Sequence, residues 1–546
     1  MKRKAVAAVL TAVMVASMFT GCGSDNGSSS AKSASAASAA SAANDTVDED
    51  GKVNGIMYQE GLPLVDEGDY TFSIFCDDSS ESGEFIMLDE FKKQTNVDVD
   101  LKIYPYETAT ERLNLDLNSG DYADVIGGWT LSDNAILTYG VNQGVFIPLE
   151  DYFEKYCPNI SAILDLPGVR EKMTAPDGHI YTIPYVCTDT TVGYSPYINT
   201  KWLENVGMSM PTTTDEFEAV LKAFKEQDAN GNGDASDEIP FSTDPNNKHI
   251  EAMAGYFGLP MNKLGIAIQN EKVVYGGVSD TYREFLSWFH KLYAEGLVDV
   301  ELYTQDSSTW EGKGNQDLYG VSIAYGSNEF TGIPAAEERG DFDPMPVLNT
   351  DKDGIWLRDT EGFSVYRTQA VITNKAEHPE IICRWFDNAF ALENGIGCNR
   401  GPVGVIVNKE DDGYHAIDTT TLSEEDQEKY SWGNLWPQSL PKYLPVDFEF
   451  VEEHPMYDEK KATEEAYEAN LTKEIIPSYW IDLDKIDTFS DTNTAIKDFF
   501  EQQQAQFVCG ELDIDNDADW QAYVDGMYSL GLEDWVATQG IEEIAK

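Results

Sequence analysis

"YTFSIFC" (residues 70–76) opens the run that decides the fold. Tyr70, Phe72 and Ile74 alternate with Thr71 and Ser73, the period of a strand with one buried face. "GEFIMLDEFKKQTN" (83–96) switches to helical spacing. "VDVDLKIYP" (97–105) returns to a strand, and "ETATERLNLDLNSGD" (107–121) to a helix. "ADVIGGW" (123–129) is a short apolar strand closed by two glycines and a tryptophan. Such strand–helix alternation implies a parallel sheet with helices on its faces. Ligands of these sheets lie beyond the carboxyl ends of the strands, where Gly127, Gly128 and Trp129 fall.

The same rhythm returns further on. "VGYSPYINTKWLENVGM" (192–208) reads as strand then helix. "TTTDEFEAVLKAFKEQD" (212–228) reads as a helix with Thr214 as its expected N-cap and Glu216 and Glu218 in its first turns. "YREFLSWFHKLYAEGLV" (282–298) is amphipathic, "YGVSIAYG" (319–326) is a strand, and "FSVYRTQAVITNKAEHPEIICRWFDNAF" (363–390) is a strand followed by a helix. From about Thr492 the chain reads as broken helix. At 546 residues it is too long for one ordinary core, so two lobes are expected.

Upstream of residue 69 the pattern is different. Lys2-Arg3-Lys4 precedes an apolar run, Ala5 to Phe19, that is too short for a permanent span. "MFTGC" then places Cys22 after Thr20 and Gly21. This resembles the lipobox of bacterial lipoproteins, with Phe19 where Leu is usual, and implies a signal peptide at 1–21 and a lipidated Cys22. Residues 22–68 are read as a flexible tether, because "GSDNGSSSAKSASAASAASAAND" has almost no large apolar side chain. The alternative is an ordinary secretory signal with an incidental cysteine. The expected location is outside the cell, held by lipid to the outer face of the membrane.

A net charge of −60 argues against nucleic acid, whose phosphate backbone needs a basic face, and against broad docking on anionic lipid. The six remaining cysteines are scattered, with no CxxC pair and no histidine at zinc spacing, and are expected to be mostly buried free thiols. There is no HExxH, GxSxG or GxxxxGK[ST] motif. A glycosidase would need two facing carboxylates, which 97 acidic residues could supply without showing it. No internal repeat marks an adhesin.

Several patterns in order, among them "FIMLDEFKKQTNVDV", "GDYADVI", "GVFIPLEDYFEKYCPNI", "DGHIYTIPY", "YINTKWLENVGMSMPTTTDEFEAVLKAF", "SWFHKLYAEGLVD", "VITNKAEHPE" and "FVCGELDIDNDADWQAYVDGM", resemble the extracellular solute-binding proteins of bacterial ABC importers. The likeness is to the family 1, oligosaccharide-binding branch that includes maltose- and alginate-oligosaccharide-binding proteins. It covers nearly the whole chain after the tether. It implies an α/β fold of the two-lobed, type II periplasmic-binding-protein kind, its lobes joined by crossover strands around a ligand cleft. The crossovers are placed near Pro184–Asp189, Gly362–Thr373 and Trp432–Pro445. Lobe 1 is then 69–187 plus about 363–435, and lobe 2 about 188–362 plus 436–546. The implied function is a binding lipoprotein, not an enzyme. It is a monomer that captures an oligosaccharide and hands it to a membrane permease; a cell-surface glycosidase is the alternative.

Sugars offer flat C–H faces and rings of hydroxyls, which suit aromatic side chains together with Asp and Arg. Trp129, Tyr185, Asp189, Tyr325, Arg400, Trp432 and Trp436 are the candidate binding residues. Trp129 follows a strand end and two glycines, with a core tryptophan as the alternative. Trp432 and Trp436 lie in the polar loop "SWGNLWPQ". Tyr185, Asp189, Tyr325 and Arg400 fit a structural role equally well. Trp288, Trp385 and Trp520, at helical spacing, are assigned to the core.

"DANGNGDASDEIP" (228–240) is the candidate cation loop. Asp228, Asn230 and Asn232 occupy positions 1, 3 and 5 of an EF-hand pattern, with Gly233 at 6 and the carbonyl of Asp234 at 7. Position 12 is Ile239, so Asp237 and Glu238 are the nearest acids to close the shell. The resemblance implies Ca²⁺ here, although the relatives' loop is one residue shorter before "DEIP". Its role is expected to be structural, because Pro240 bars a regular helix from leaving the loop.

Overall fold

The computed structural model describes residues 45–78, 84–244, 249–332, 340–417, 419–446, 448–451 and 455–545. Cys22, the signal segment and most of the proposed tether lie outside them.

Strand Tyr70–Asp77 runs parallel to Val97–Tyr104 on one side and to Val125–Gly127 on the other; Ala370–Ile372 adds an antiparallel edge. The helices between them, Ile86–Thr95 and Tyr106–Ser119, end in left-handed caps at Asn96 and Gly120. The alternation read in 70–129 therefore forms the expected sheet. A second four-stranded sheet has the order Phe342–Pro344, Ser195–Asn199, Tyr319–Ala324, Ile239–Thr243, with the last two parallel. Each sheet has its own apolar core. Phe72, Ile74, Trp385 and Phe386 belong to the first; Phe217, Phe241, Phe285 and Trp535 belong to the second.

Among the described residues, two strands between these cores pair only with each other. Tyr185–Thr188 runs antiparallel to Phe363–Tyr366, so that Tyr185 faces Tyr366 and Thr188 faces Phe363. The segment 363–372, read as one strand, is two strands divided at Arg367. Arg367 turns inward to grip the Asp133 carboxylate with both Nε (2.8 Å) and Nη2 (2.5 Å).

The structure corrects several expectations. Folded structure is already present before residue 69: Lys52–Val53 pairs with Met57–Tyr58, and Val53, Met57, Leu64 and Val65 are buried in the first core. Those four apolar side chains, unlike the Ser/Ala stretch before them, have enough surface to bury. The 214–226 helix is capped by Thr213, whose hydroxyl accepts from the Glu216 amide. Trp436 is fully buried and stacked on Trp385 at 5.7 Å, so it cannot meet a ligand. With Leu440 it fills the first core, and Tyr443 and Val446 pack against that core. The chain is therefore still packed on the first core at Val446. The chain also returns to the first half at residues 480–486, where Ile481 and Ile486 bury against Leu137 and the Trp480 indole donates to the Lys172 carbonyl.

Trp385 and Trp520 are core residues and Trp288 packs against the second core. The described cysteines are unpaired: four are buried, Cys187 is half-buried and Cys509 is exposed. No helix among the described residues is long and apolar enough to cross a membrane.

Candidate functional site

Asp189 organises the space between the two sheets. Its amide donates to the Gly362 carbonyl (3.1 Å), extending the 185–188/363–366 pairing by one rung. One carboxylate oxygen accepts from the Thr190 amide (2.8 Å) and the Tyr325 hydroxyl (3.1 Å). The other accepts from the Ser364 hydroxyl (2.5 Å), with the Tyr366 hydroxyl at 3.5 Å. Asp189 thus ties the end of a second-sheet strand to the paired crossover strands.

Aromatic rings stand on either side of this node. Tyr185 and Tyr366 are cross-strand partners and stack at 5.5 Å; Trp129 meets Tyr366 edge-on at 5.3 Å. On the other side Tyr194 meets Tyr325 edge-on at 6.1 Å and carries the His249 ring flat against it at 4.0 Å. Burial holds His249 down to about 4, so the ring is neutral at pH 7. Lys460 sits over the Tyr325 ring at 3.4 Å, and its burial lowers the ammonium to about 8.

Trp129 is held outward by its neighbours. The Asp77 carboxylate, fully buried at the carboxyl end of the 70–77 strand, accepts from the amides of Trp129 (2.9 Å) and Thr130 (2.6 Å). Gly128 has φ +130°, and a Cβ there would lie 2.2 Å from that carboxylate. Only glycine allows the loop to approach so closely. The indole remains 47% exposed, which is unusual for tryptophan and favours a contact surface over a core role.

A cavity of about 510 Å³ lies here, lined by Asp189, Tyr194, His249, Tyr325, Asp359 and Tyr366 among others. Asp359 was missed in the sequence, where "WLRDTEG" is one acid among many. The nearness of Gly362 and the crossover was the only available signal. One Asp359 oxygen accepts from the Gly193 amide at 2.7 Å. The residue is open to the cavity, yet the surrounding walls desolvate its carboxyl and push it up to about 6, with the Asp189 charge adding to the rise. A perturbed, accessible acid in a cleft marks a functional position.

The remaining candidates are placed as follows. Trp432 is 58% exposed, with Lys442 under its ring at 5.2 Å. Arg400 ends the Leu392–Arg400 helix with its guanidinium 5.6 Å from the Phe450 ring; like Trp129, Tyr185 and Trp432 it is not among the residues lining the cavity.

The 228–240 loop folds on its own side chains. Asp228 accepts from the Gly233 amide (3.0 Å), Asn230 and Asn232 donate to Asp237, and Asp234 accepts from Ser236. One Glu238 oxygen accepts from the Ala229 amide at 2.9 Å, while the other is buried without a hydrogen-bond partner, and burial raises its pKa. An orphaned carboxylate oxygen in a loop that also carries carboxamide and carboxylate side chains suits a hard cation. The loop's acids are not themselves clustered. Among the described residues, Glu410, Asp412 and His415 form the one set of three His, Cys, Asp or Glu side chains with ligand atoms within 4.8 Å.

Residues 78–395 match the profile of the family described as bacterial extracellular solute-binding protein. The chain is 31% identical to the fructooligosaccharide ABC transporter substrate-binding protein FusA of Streptococcus pneumoniae, over 73% of this chain and 70% of that protein. It is 28% identical to lipoprotein LipO of Bacillus subtilis, over 50% of this chain and 52% of that protein. The solved structure of FusA from S. pneumoniae in complex with kestose superposes with a TM-score of 0.76 at 26% identity, covering 86% of this chain and 98% of that one. An EF-hand mutant of FusA gives 0.74 at 27% identity, with 86% and 98% coverage.

Proposed function

The chain belongs to the bacterial extracellular solute-binding protein family, and from that premise we propose that it is the substrate-binding component of an ABC importer for a neutral oligosaccharide. The observation that carries this reading is the ring of aromatic side chains and acids around Asp189, placed where two paired strands join the halves. A ligand touching both walls favours the closed state over the open one, and a closed state is a shape that a permease can recognise. The cleft carboxylates then accept hydroxyl hydrogen bonds instead of cleaving a glycosidic bond. Calorimetric titration against neutral and uronic oligosaccharides tests this: binding without product supports it, and product formation or no binding overturns it.

The Asp359 carboxyl gives the binding a pH signature. A hydroxyl donates best to the ionised form, so affinity is full above about pH 7 and falls as pH drops through about 6. By pH 5 a roughly tenfold loss is expected. Asp359→Asn should flatten the profile; an unchanged slope would remove Asp359 from the contact.

We infer that Ca²⁺ is held by the 228–240 loop through Asp228, Asn230, Asn232, the Asp234 carbonyl, Asp237 and Glu238, and that it stiffens this part of the fold. At free calcium a hundred times its Kd the ion adds about 2.7 kcal/mol. Chelator should lower the melting temperature without abolishing sugar binding, and Asp228→Ala should remove that sensitivity. A melting curve indifferent to chelator and to added calcium contradicts the site.

We also infer lipid attachment at Cys22, the reading supported by the basic and apolar segment before it. Cys22→Ala should move the protein from the membrane fraction to the soluble one, and retention in the membrane fraction would overturn the assignment.

A further inference from the structure

Cys157 and Cys383 meet inside the first core. Cys157 is the single residue between the helices Glu150–Tyr156 and Pro158–Leu164. Cys383 lies in the helix Pro379–Ala389, which packs on both of them. Both side chains are sealed from solvent and both are free thiols in the structure. Hydrogen bonds fix how these helices face one another. Asp387 stands one turn after Cys383 on the same helix face. Its carboxylate accepts from the Ile160 amide (2.8 Å) and from the Asn159 carboxamide (3.1 Å). With residues 159 and 160 docked on Asp387, Cys157 falls opposite Cys383. The two thiols sense each other: burial, then a side-chain hydrogen bond and electrostatic interaction with Cys383, push the Cys157 thiol well above its ordinary range.

The pair brackets the chain's excursion into the second half. The paired strands 185–188 and 363–366 lie between residues 157 and 383 in the chain, and so do all four strands of the second four-stranded sheet. The same helices also seat the segment before the first sheet. The Tyr156 hydroxyl donates to Asp45 (2.8 Å) and Asn54 donates to Glu380 (2.9 Å). Arg384 donates to the carbonyls of Tyr58 (2.6 Å) and Gly61 (3.0 Å). We propose that Cys157 and Cys383 form a disulfide in the extracellular protein, stapling the outgoing and returning chain passages together inside the first core. An oxidising exterior permits such a bond. The oxidant is a disulfide-bearing thiol oxidant, such as an oxidoreductase or oxidised glutathione. One cysteine thiolate attacks its disulfide and displaces one thiol; the second cysteine thiolate then displaces the other. One S–S bond forms and one breaks. Two protons and two electrons pass from the cysteines to the oxidant, which leaves as two thiols. Burial disfavours the thiolates once the protein is folded, so the exchange precedes closure of the first core. The inference rests on the extracellular family and not on which ligand is bound.

The test is a map of free thiols in the intact mature chain. The protein is unfolded, refolded in about equal reduced and oxidised glutathione, denatured again and alkylated without reductant. Tryptic peptides 156–170 and 376–384 should appear as one joined pair that dithiothreitol separates, with Cys76, Cys187, Cys398 and Cys509 alkylated. The oxidised protein should melt at least about 4 °C above the same chain refolded in dithiothreitol. The double variant Cys157→Ala/Cys383→Ala should show no such difference. Alkylation of both Cys157 and Cys383, or either one joined to another cysteine, overturns the inference. So does a melting difference that persists in the double variant. Neither result touches the sugar-binding reading, which titration tests separately.

Discussion

Trp436→Ala is expected to remove about 3–5 kcal/mol of stability, the range for deleting a large buried aromatic side chain. Trp436 is fully buried, stacks on Trp385, meets Phe91 at 5.2 Å and donates its indole N–H to the Leu440 carbonyl at 3.3 Å. The mutation therefore leaves a cavity and an unpaired carbonyl. Denaturant unfolding measures the loss. The folded fraction should keep its ligand affinity within about twofold, because no Trp436 atom reaches the cleft. Large affinity loss with unchanged stability would return Trp436 to the binding site.

Trp129→Ala is expected to do the reverse. Losing one stacked sugar face should weaken binding by about 1–3 kcal/mol, roughly ten- to a hundredfold in Kd. The ligand-free melting temperature should barely move, because the indole is half exposed and the Asp77 bonds go to backbone amides that alanine keeps. A collapse of the melting temperature with normal residual affinity would make Trp129 a core residue. Trp432 and Trp436 are four positions apart, yet one is the most exposed tryptophan of those described and the other is sealed.

That contrast shows where the sequence is legible. The alternation in 70–129 specifies its sheet because local period alone decides which side chains face the core. The Gly127-Gly128-Trp129 ending is readable for the same reason: a strand terminus with a close backbone approach needs glycine. In "SWGNLWPQ" no period operates. Trp436 is buried by Trp385, 51 positions away in the chain, and only tertiary packing reveals it. Asp77 and Asp359 were invisible among 97 acids, because their roles come from the amides and walls around them. The ordered stretch 45–68 was hidden by the Ser/Ala run before it, although Val53, Met57, Leu64 and Val65 were there to be counted. The node at Asp189 was only half legible. Its position at a crossover came from the family resemblance, whereas its bonds to Tyr325 and Ser364 are properties of the fold.

The central claim is that ligand draws the two sheet-bearing halves together about the 185–188 and 363–366 strands. Spin labels at Leu115, exposed on the 106–119 helix, and Val300, exposed on the other half, report that distance directly, with Cys509 replaced by serine so that its exposed thiol takes no label. Pulsed dipolar spectroscopy with and without the bound oligosaccharide should show a shorter mean distance in its presence, and Asp189→Ala should shorten it less at equal saturation. An identical distance distribution in the free and saturated protein would contradict the account.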